Sequence, residues 1–231
     1  MFSFAQALRL ALLVVTVTAI DDPRCSTTPT VVVMYDSGDQ ARTLYQLENS
    51  NISNFHTYQL ANAISKGLVS AGVLSNVYNV SNVNAPTKYS DLAKVHAVAI
   101  GTPVYFANPS AATLEFIYRS LGPGWNNRTF ADLPCAVFAT GGGYHQGTEG
   151  TLQGLTRAML NFGFRPVTPN VVINGYYSSL GASAVTGTPP YFVNTDPISQ
   201  QFLDVGIALG HKLGIETRKE WAYRCGRVLS L

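Results

Sequence analysis

Three continuous apolar runs punctuate the chain, at residues 30–35 (TVVVMY), 97–102 (AVAIGT) and 135–140 (CAVFAT). None alternates apolar with polar, and an unbroken run predicts a strand covered on both faces, as in a parallel sheet. Residues 74–80 (LSNVYNV) read as a weaker strand nearer an edge, and residues 170–176 (NVVINGY) as a fifth strand. Helical stripes fall between the runs. Leu60, Ile64 and Leu68 form one; Leu114, Ile117 and Leu121 a second; Leu152, Leu155, Met159 and Phe162 a third; Phe202, Val205, Leu209 and Leu213 the last. Each stripe is read as a core-facing surface. Strand–helix alternation of this kind predicts a doubly wound α/β fold: a five-stranded parallel sheet between two layers of helices. Right-handed crossovers then bring the C-terminal ends of the strands to one rim, where ligands bind in such sheets.

Composition narrows the setting. The chain has 231 residues, 46% hydrophobic and 12% charged, with net charge +2. That is a globular composition, and without a basic run it gives no footprint for nucleic acid. Residues 1–19 read as a signal peptide: Arg9 precedes a short apolar run, with Val17 and Ala19 at the −3 and −1 positions for cleavage before Ile20. Three Asn-x-Ser/Thr triplets, at Asn51, Asn79 and Asn127, are candidate glycosylation sites and agree with secretion or a secretory-pathway lumen. Cys135 lies inside an apolar strand and reads as a buried free thiol. Cys25 and Cys225 lie just before the first strand and just after the last helix, a candidate disulfide in an oxidising compartment. No repeat or linker divides residues 20–231, so one domain is expected, with its core at about 30–215. Neither zinc-type spacing nor a hydrolase nucleophile turn is present among the histidines and cysteines, and no metal site is expected.

The candidate chemistry lies at the predicted rim. After the 97–102 run comes Gly101-Thr-Pro-Val-Tyr-Phe-Ala-Asn108, then a helix opened by Ser110. Backbone amides and aromatic faces there suit a flat ring with polar edges, although an ordinary βα loop has the same outline. After the 135–140 run come three glycines, Gly141, Gly142 and Gly143, then Tyr144 and His145 before the next helix. These segments resemble the NAD(P)H:quinone oxidoreductases of the flavodoxin-like, tryptophan-repressor-binding-protein branch. Residues 101–108 are similar to that family's Gly-(Thr/Ser)-Pro-Thr-(Arg/Tyr)-Phe-Gly-Asn signature. Thr140 to Gly143, with Glu149, Thr151 and Leu152, are similar to its Thr-Gly-Thr-Gly-Gly-Gly-Gln-Glu-Thr-Thr signature. Residues 187–213 resemble its Gly-Thr-Pro-Tyr-Gly segment and final helix.

The resemblance implies a flavodoxin-like three-layer sandwich with strand order 2-1-3-4-5 and FMN at the rim. It implies a cofactor site of Pro103, Val104, Tyr105, Phe106 and Asn108 on the first ring loop, and Thr140, Gly141, Gly142, Gly143 and His145 on the second. Trp125 and Tyr144 are the implied substrate contacts. The implied activity is FMN-dependent hydride transfer from NAD(P)H to a quinone or similar planar molecule, with no protein nucleophile, and a homo-oligomer (dimer or tetramer) is implied as well. The phosphate turn departs from the family. One alignment puts Ser53, Asn54, His56 and Thr57 there, with Phe55 in place of a glycine; another uses Ser37-Gly38-Asp39 and brings Asp36 to its flank. Tyr144 and His145 widen the glycine loop, and Asn161-Phe162 stand where the family has a histidine, so His145 is either its substitute or a solvated loop residue. Two functions stay open: an FMN-dependent oxidoreductase, or a secreted flavodoxin-like binding protein without tight FMN binding.

Overall fold

The computed structural model describes residues 22–26, 28–36, 56–81, 85, 88–143, 147–169, 171–173, 176–186 and 198–227. Its central sheet is built from β1 (Thr30–Tyr35), β2 (Leu74–Asn79), β3 (Ala97–Tyr105), β5 (Pro134–Gly141) and the short β6 (Arg165–Pro166), in spatial order β2-β1-β3-β5-β6 and all parallel. A short β4 (Asn108–Pro109) folds back antiparallel on the end of β3. The three runs without alternation are the three central strands, buried on both sides as the pattern requires.

The fifth position differs from expectation. Residues 171–173 form β7 and 176–178 form β8, which pair antiparallel in a separate two-stranded sheet. The place beside β5 is shared instead by β6, against its first residues, and by β9 (Ala182–Val185), against its last. Close approach explains the choice of β9: a Cβ at Gly181 would stand 2.1 Å from the Val137 carbonyl oxygen, so only glycine lets the chain enter there.

Among the described residues five α-helices cover the sheet: α1 (His56–Ser70), α2 (Tyr89–Leu92), α3 (Ala111–Phe116), α4 (Thr148–Asn161) and α5 (Gln200–Arg224). Alternation along β1 divides the core. Val31, Val33 and Tyr35 pack with Leu60, Ile64 and Leu68 of α1 and with Val205, Leu209 and Leu213 of α5. Val32 and Met34 face the other layer, with Phe116, Ile117 and Leu121 and with Leu155 and Met159 of α4. In the second stripe Leu114 is exposed; the buried face is instead Thr113, Phe116, Ile117, Ser120 and Leu121, at i, i+3, i+4, i+7 and i+8. Helix α1 lies so close to α5 that a Cβ on Gly210 would stand 1.9 Å from the Ile64 carbonyl oxygen, and one on Gly67 2.0 Å from that of Ile207.

The ends of the strands away from the rim are clasped. Cys25 and Cys225 are bridged with Cα atoms 5.4 Å apart, joining the N-terminal turn to the end of α5. Beside them His96, buried, accepts from the Thr30 amide at Nδ1 (3.0 Å), which leaves Nε2 to donate to the Arg24 carbonyl (2.9 Å). Burial holds its pKa below the ordinary histidine value. Cys135 is a free, buried thiol whose pKa burial pushes far up, which makes it inert. Among the described residues no helix is long and apolar enough to cross a membrane.

Candidate functional site

Because the sheet is parallel, Tyr35, Tyr105, Gly141 and Val185 all end on one rim. The first ring segment is a β-hairpin. Val104 pairs with Pro109 and Tyr105 with Asn108, leaving Phe106 and Ala107 as a two-residue turn. Both have positive φ, 50° and 62°, the geometry that matches the twist of a tight hairpin. Neither is glycine, so the turn costs about 1–2 kcal/mol per residue. Two contacts offset it: Asn108 Nδ2 donates to the Phe106 carbonyl (2.8 Å), and Ala107 lies against Gly147, where a Cβ would stand 2.4 Å from that of Ala107. Gly147 itself has φ +92° and opens α4. The hairpin thereby holds Phe106 out at the tip, 98% exposed, with Tyr105 beside it and the less exposed Pro103 and Val104 behind. Its base is fixed by Thr102, whose hydroxyl accepts from the Ser110 amide (2.9 Å), and by Ser110, which caps α3 by accepting from the Thr113 amide (3.2 Å).

The second ring segment continues β5. The Gly141 carbonyl accepts from both the amide (2.8 Å) and the hydroxyl (3.1 Å) of Thr186, just past β9. A Cβ on Gly141 would stand 2.9 Å from Thr148 Oγ1 and 3.4 Å from Val104 Cγ2, so the loop passes flush between the hairpin and α4. Gly142 is half-buried and Gly143 buried. Thr140 points to the other face of the sheet, where its hydroxyl lies 2.7 Å from that of Thr57.

At the first strand end, His56 and Thr57 open α1, a 15-residue helix with no acidic residue in its first turn. The positive dipole end of such a helix favours an anion. Asp36, just past the end of β1, is 3% exposed, and its amide donates to the Gly101 carbonyl (3.2 Å). Ser37, Gly38, Asp39, Asn51, Ser53, Asn54, Tyr144 and His145 lie outside the described residues.

The structure therefore brings Pro103 to Asn108, Thr140 to Gly143 and the start of α1 to one rim. It does not bring Trp125 there. Trp125 follows the helix that returns from the rim and precedes β5, so within the chain it sits at the opposite end of the sheet, where its indole donates to the carbonyl of Asn161 at the end of α4 (3.1 Å). Thr186 was missed in the sequence; it follows a short apolar run, residues 182–185, whose place beside β5 only the register reveals. Among the described residues no cluster of histidine, cysteine and acidic side chains could hold a metal ion.

An open parallel α/β sheet with two loops and a helix N-terminus at the C-terminal ends of its strands has its candidate ligand site at that rim. Residues 41–178, more than half of the chain, match the family model described as NADPH-dependent FMN reductase, and the chain belongs to that family. It is 26% identical over 180 residues to the NAD(P)H quinone oxidoreductase YCP4 of Candida albicans, a match covering 69% of this chain. The chain spans 62% of the length of that curated relative. Among solved structures, a flavodoxin, WrbA-like protein from Agrobacterium tumefaciens superposes with TM-score 0.56 at 19% identity, over 84% of this chain and 99% of that one. The flavodiiron protein of Giardia intestinalis superposes with TM-score 0.58 at 13% identity, over 96% of this chain and 43% of that one. Both likenesses concern the fold, which is flavodoxin-like.

Proposed function

We propose that the protein is an FMN-dependent oxidoreductase that transfers two electrons from NAD(P)H to a quinone or a similar planar acceptor. The observation that carries this reading is the joint geometry of the rim: an exposed aromatic hairpin tip, a glycine loop flush beside it, and an acid-free helix N-terminus on the same edge. The donor set fits the group it would hold. Phe106 and Tyr105 offer ring faces, the backbone of residues 104–106 and 140–143 offers polar edges, and the α1 amides with His56 offer an anion end. Bound FMN would supply hydride acceptance and two-electron release, while the chain supplies position and electrostatics. The Asn108 brace and the contact of Ala107 with Gly147 keep the hairpin tip upright, and the pinned Gly141 carbonyl keeps the second loop flat.

The same proposal places the protein in the secretory pathway or outside the cell. The Cys25–Cys225 bridge supports an oxidising compartment. Of the triplets, Asn127 is exposed and suits a glycan, whereas Asn79 is half-buried and its side chain accepts from the Ser81 amide (2.9 Å). A homo-oligomer belongs to the proposal too, supported by the exposed Leu114 and Tyr118 on one side of the α3 segment.

The test is direct. Protein secreted with its disulfide intact is titrated with FMN, following flavin fluorescence, and then assayed for NADH or NADPH consumption that depends on an added quinone. Stoichiometric quenching and quinone-dependent turnover are expected. A protein that binds FMN at neither micromolar nor millimolar concentration is instead the secreted binding protein without tight flavin capture.

A further inference from the structure

Thr57 and Thr140 are 83 positions apart in sequence, yet their hydroxyl oxygens lie 2.7 Å apart. Both residues are buried, at 2% and 5% exposure, so neither hydroxyl faces the open rim. Thr57 is the second residue of α1, and Thr140 sits in β5 between Pro103 of β3 and Ala184 of β9. The next residue, Gly141, is held from the far side by Thr186 and lies against Thr148. The glycine loop is thus tied to β9 and α4 on one side and, through one side-chain hydrogen bond, to the start of α1 on the other.

We infer that Thr57 is a positioning residue and not an anion ligand: with Thr140 it sets the spacing between the N-terminus of α1 and the glycine loop. The inference rests on the flavin reading above, since those two elements are the anion end and one ring wall of that site. One hydroxyl donates and the other accepts, so removing either leaves its partner buried without the bond. Removing both leaves two apolar side chains of matching shape, which is far less costly than either single loss. Serine keeps the hydroxyl and therefore the tie.

FMN and riboflavin, which differ by the phosphate, separate the two roles. Their affinities are measured by fluorescence titration for wild type, Thr57→Val, Thr57→Ser, Thr140→Val and the double valine variant. A positioning role predicts that Thr57→Val weakens both flavins by a similar factor, roughly 5- to 10-fold for one buried hydrogen bond. It also predicts that Thr57→Ser stays within about twofold of wild type, and that the double variant loses less than the product of the single losses. Loss of FMN affinity with riboflavin unchanged would make Thr57 a phosphate ligand and overturn the inference, as would single losses that multiply in the double variant. If Thr57→Val does not fold, Thr57→Ala, which cannot overpack the site, carries the same comparison. A wild-type protein that binds neither flavin overturns the flavin reading itself, and this inference with it, before any variant is made.

Discussion

Two glycine-to-alanine substitutions should move stability in opposite directions, and the structure sets both signs. Gly210, in the middle of α5, faces α1 so closely that a new Cβ would stand 1.9 Å from the Ile64 carbonyl oxygen and 2.7 Å from its carbonyl carbon. Ordinary contact is about 3.5–4 Å, so α5 would have to retreat by more than roughly 1 Å. Both atoms it meets are backbone, so no side chain can swing aside. Retreat would loosen the packing of Leu60, Ile64 and Leu68 against Val205, Leu209 and Leu213. Overpacking of this kind costs about 1–3 kcal/mol and sometimes more, partly offset by alanine's helical advantage of about 1 kcal/mol. With backbone on both sides the cost falls in the upper part of that range, and a net loss of about 1–2 kcal/mol would lower Tm by roughly 2–8 °C for a domain of this size. Gly154, inside α4, has nothing within 4 Å of its ideal Cβ. There only the helical advantage remains, and Gly154→Ala should raise stability by about 0.5–1 kcal/mol, or roughly 1–4 °C. Differential scanning calorimetry of the two variants checks both. If Gly210→Ala melts at or above the wild-type temperature, α1 and α5 do not approach as closely as the structure has them.

Two further outcomes are expected at the clasp. The Cys25–Cys225 bridge spans a sequence separation of 200, and a chain-entropy model assigns such a closure about 5 kcal/mol, so reduction or Cys225→Ser should lower Tm by roughly 10–20 °C; a shift under about 3 °C in calorimetry with and without reductant would refute it. His96 is held neutral, its pKa lowered by burial, with Nδ1 accepting from Thr30. An unfolded histidine takes up its proton at a higher pH than the native one. Stability is therefore fully present above the unfolded value of about 6.5 and is lost as pH falls through it towards the lower native value. Equilibrium unfolding from pH 7 to pH 5 should show that loss in wild type and a flatter profile in His96→Gln; parallel profiles would rule out His96 as the source.

Much of this architecture was legible because a strand buried on both faces has little choice of residues. The unbroken runs at Val31 to Tyr35, Ala97 to Thr102 and Cys135 to Thr140 could hardly be anything else, and their alternation with helical stripes implied one rim. The bridge was foreshadowed by two cysteines flanking the fold. The fifth strand was not legible, because Val171 to Ile173 has strand chemistry but pairs locally with Tyr176 to Ser178. What selects β9 is a backbone approach at Gly181, a property of the folded neighbour and not of the local run. Trp125 was misplaced for a different reason. Motif likeness says nothing about which end of the sheet a residue occupies, whereas counting the return of α3 from the rim would have put it at the far end. The Thr57–Thr140 contact lay beyond any local pattern, since two threonines 83 positions apart carry no signal that they meet.

The topology also separates what stabilises the chain from what its rim does. In a parallel sheet every strand starts at one edge and ends at the other. The bridge, His96 and the ion pairs of Arg165 with Glu216 (2.9 Å) and Arg224 with Glu220 (2.7 Å) all fall on the starting edge. The hairpin tip, the glycine loop and the start of α1 fall on the finishing edge. No described side chain of the clasp reaches a rim loop directly; the two edges are joined through the strands and helices that run between them. Acid or reductant acting on the clasp should therefore change how much of the protein is folded and leave the intrinsic flavin affinity of the folded fraction as it was. The rim has its own adjustable element, the Thr57–Thr140 hydrogen bond, and changes there, unlike those at the clasp, should alter ligand affinity as well as stability.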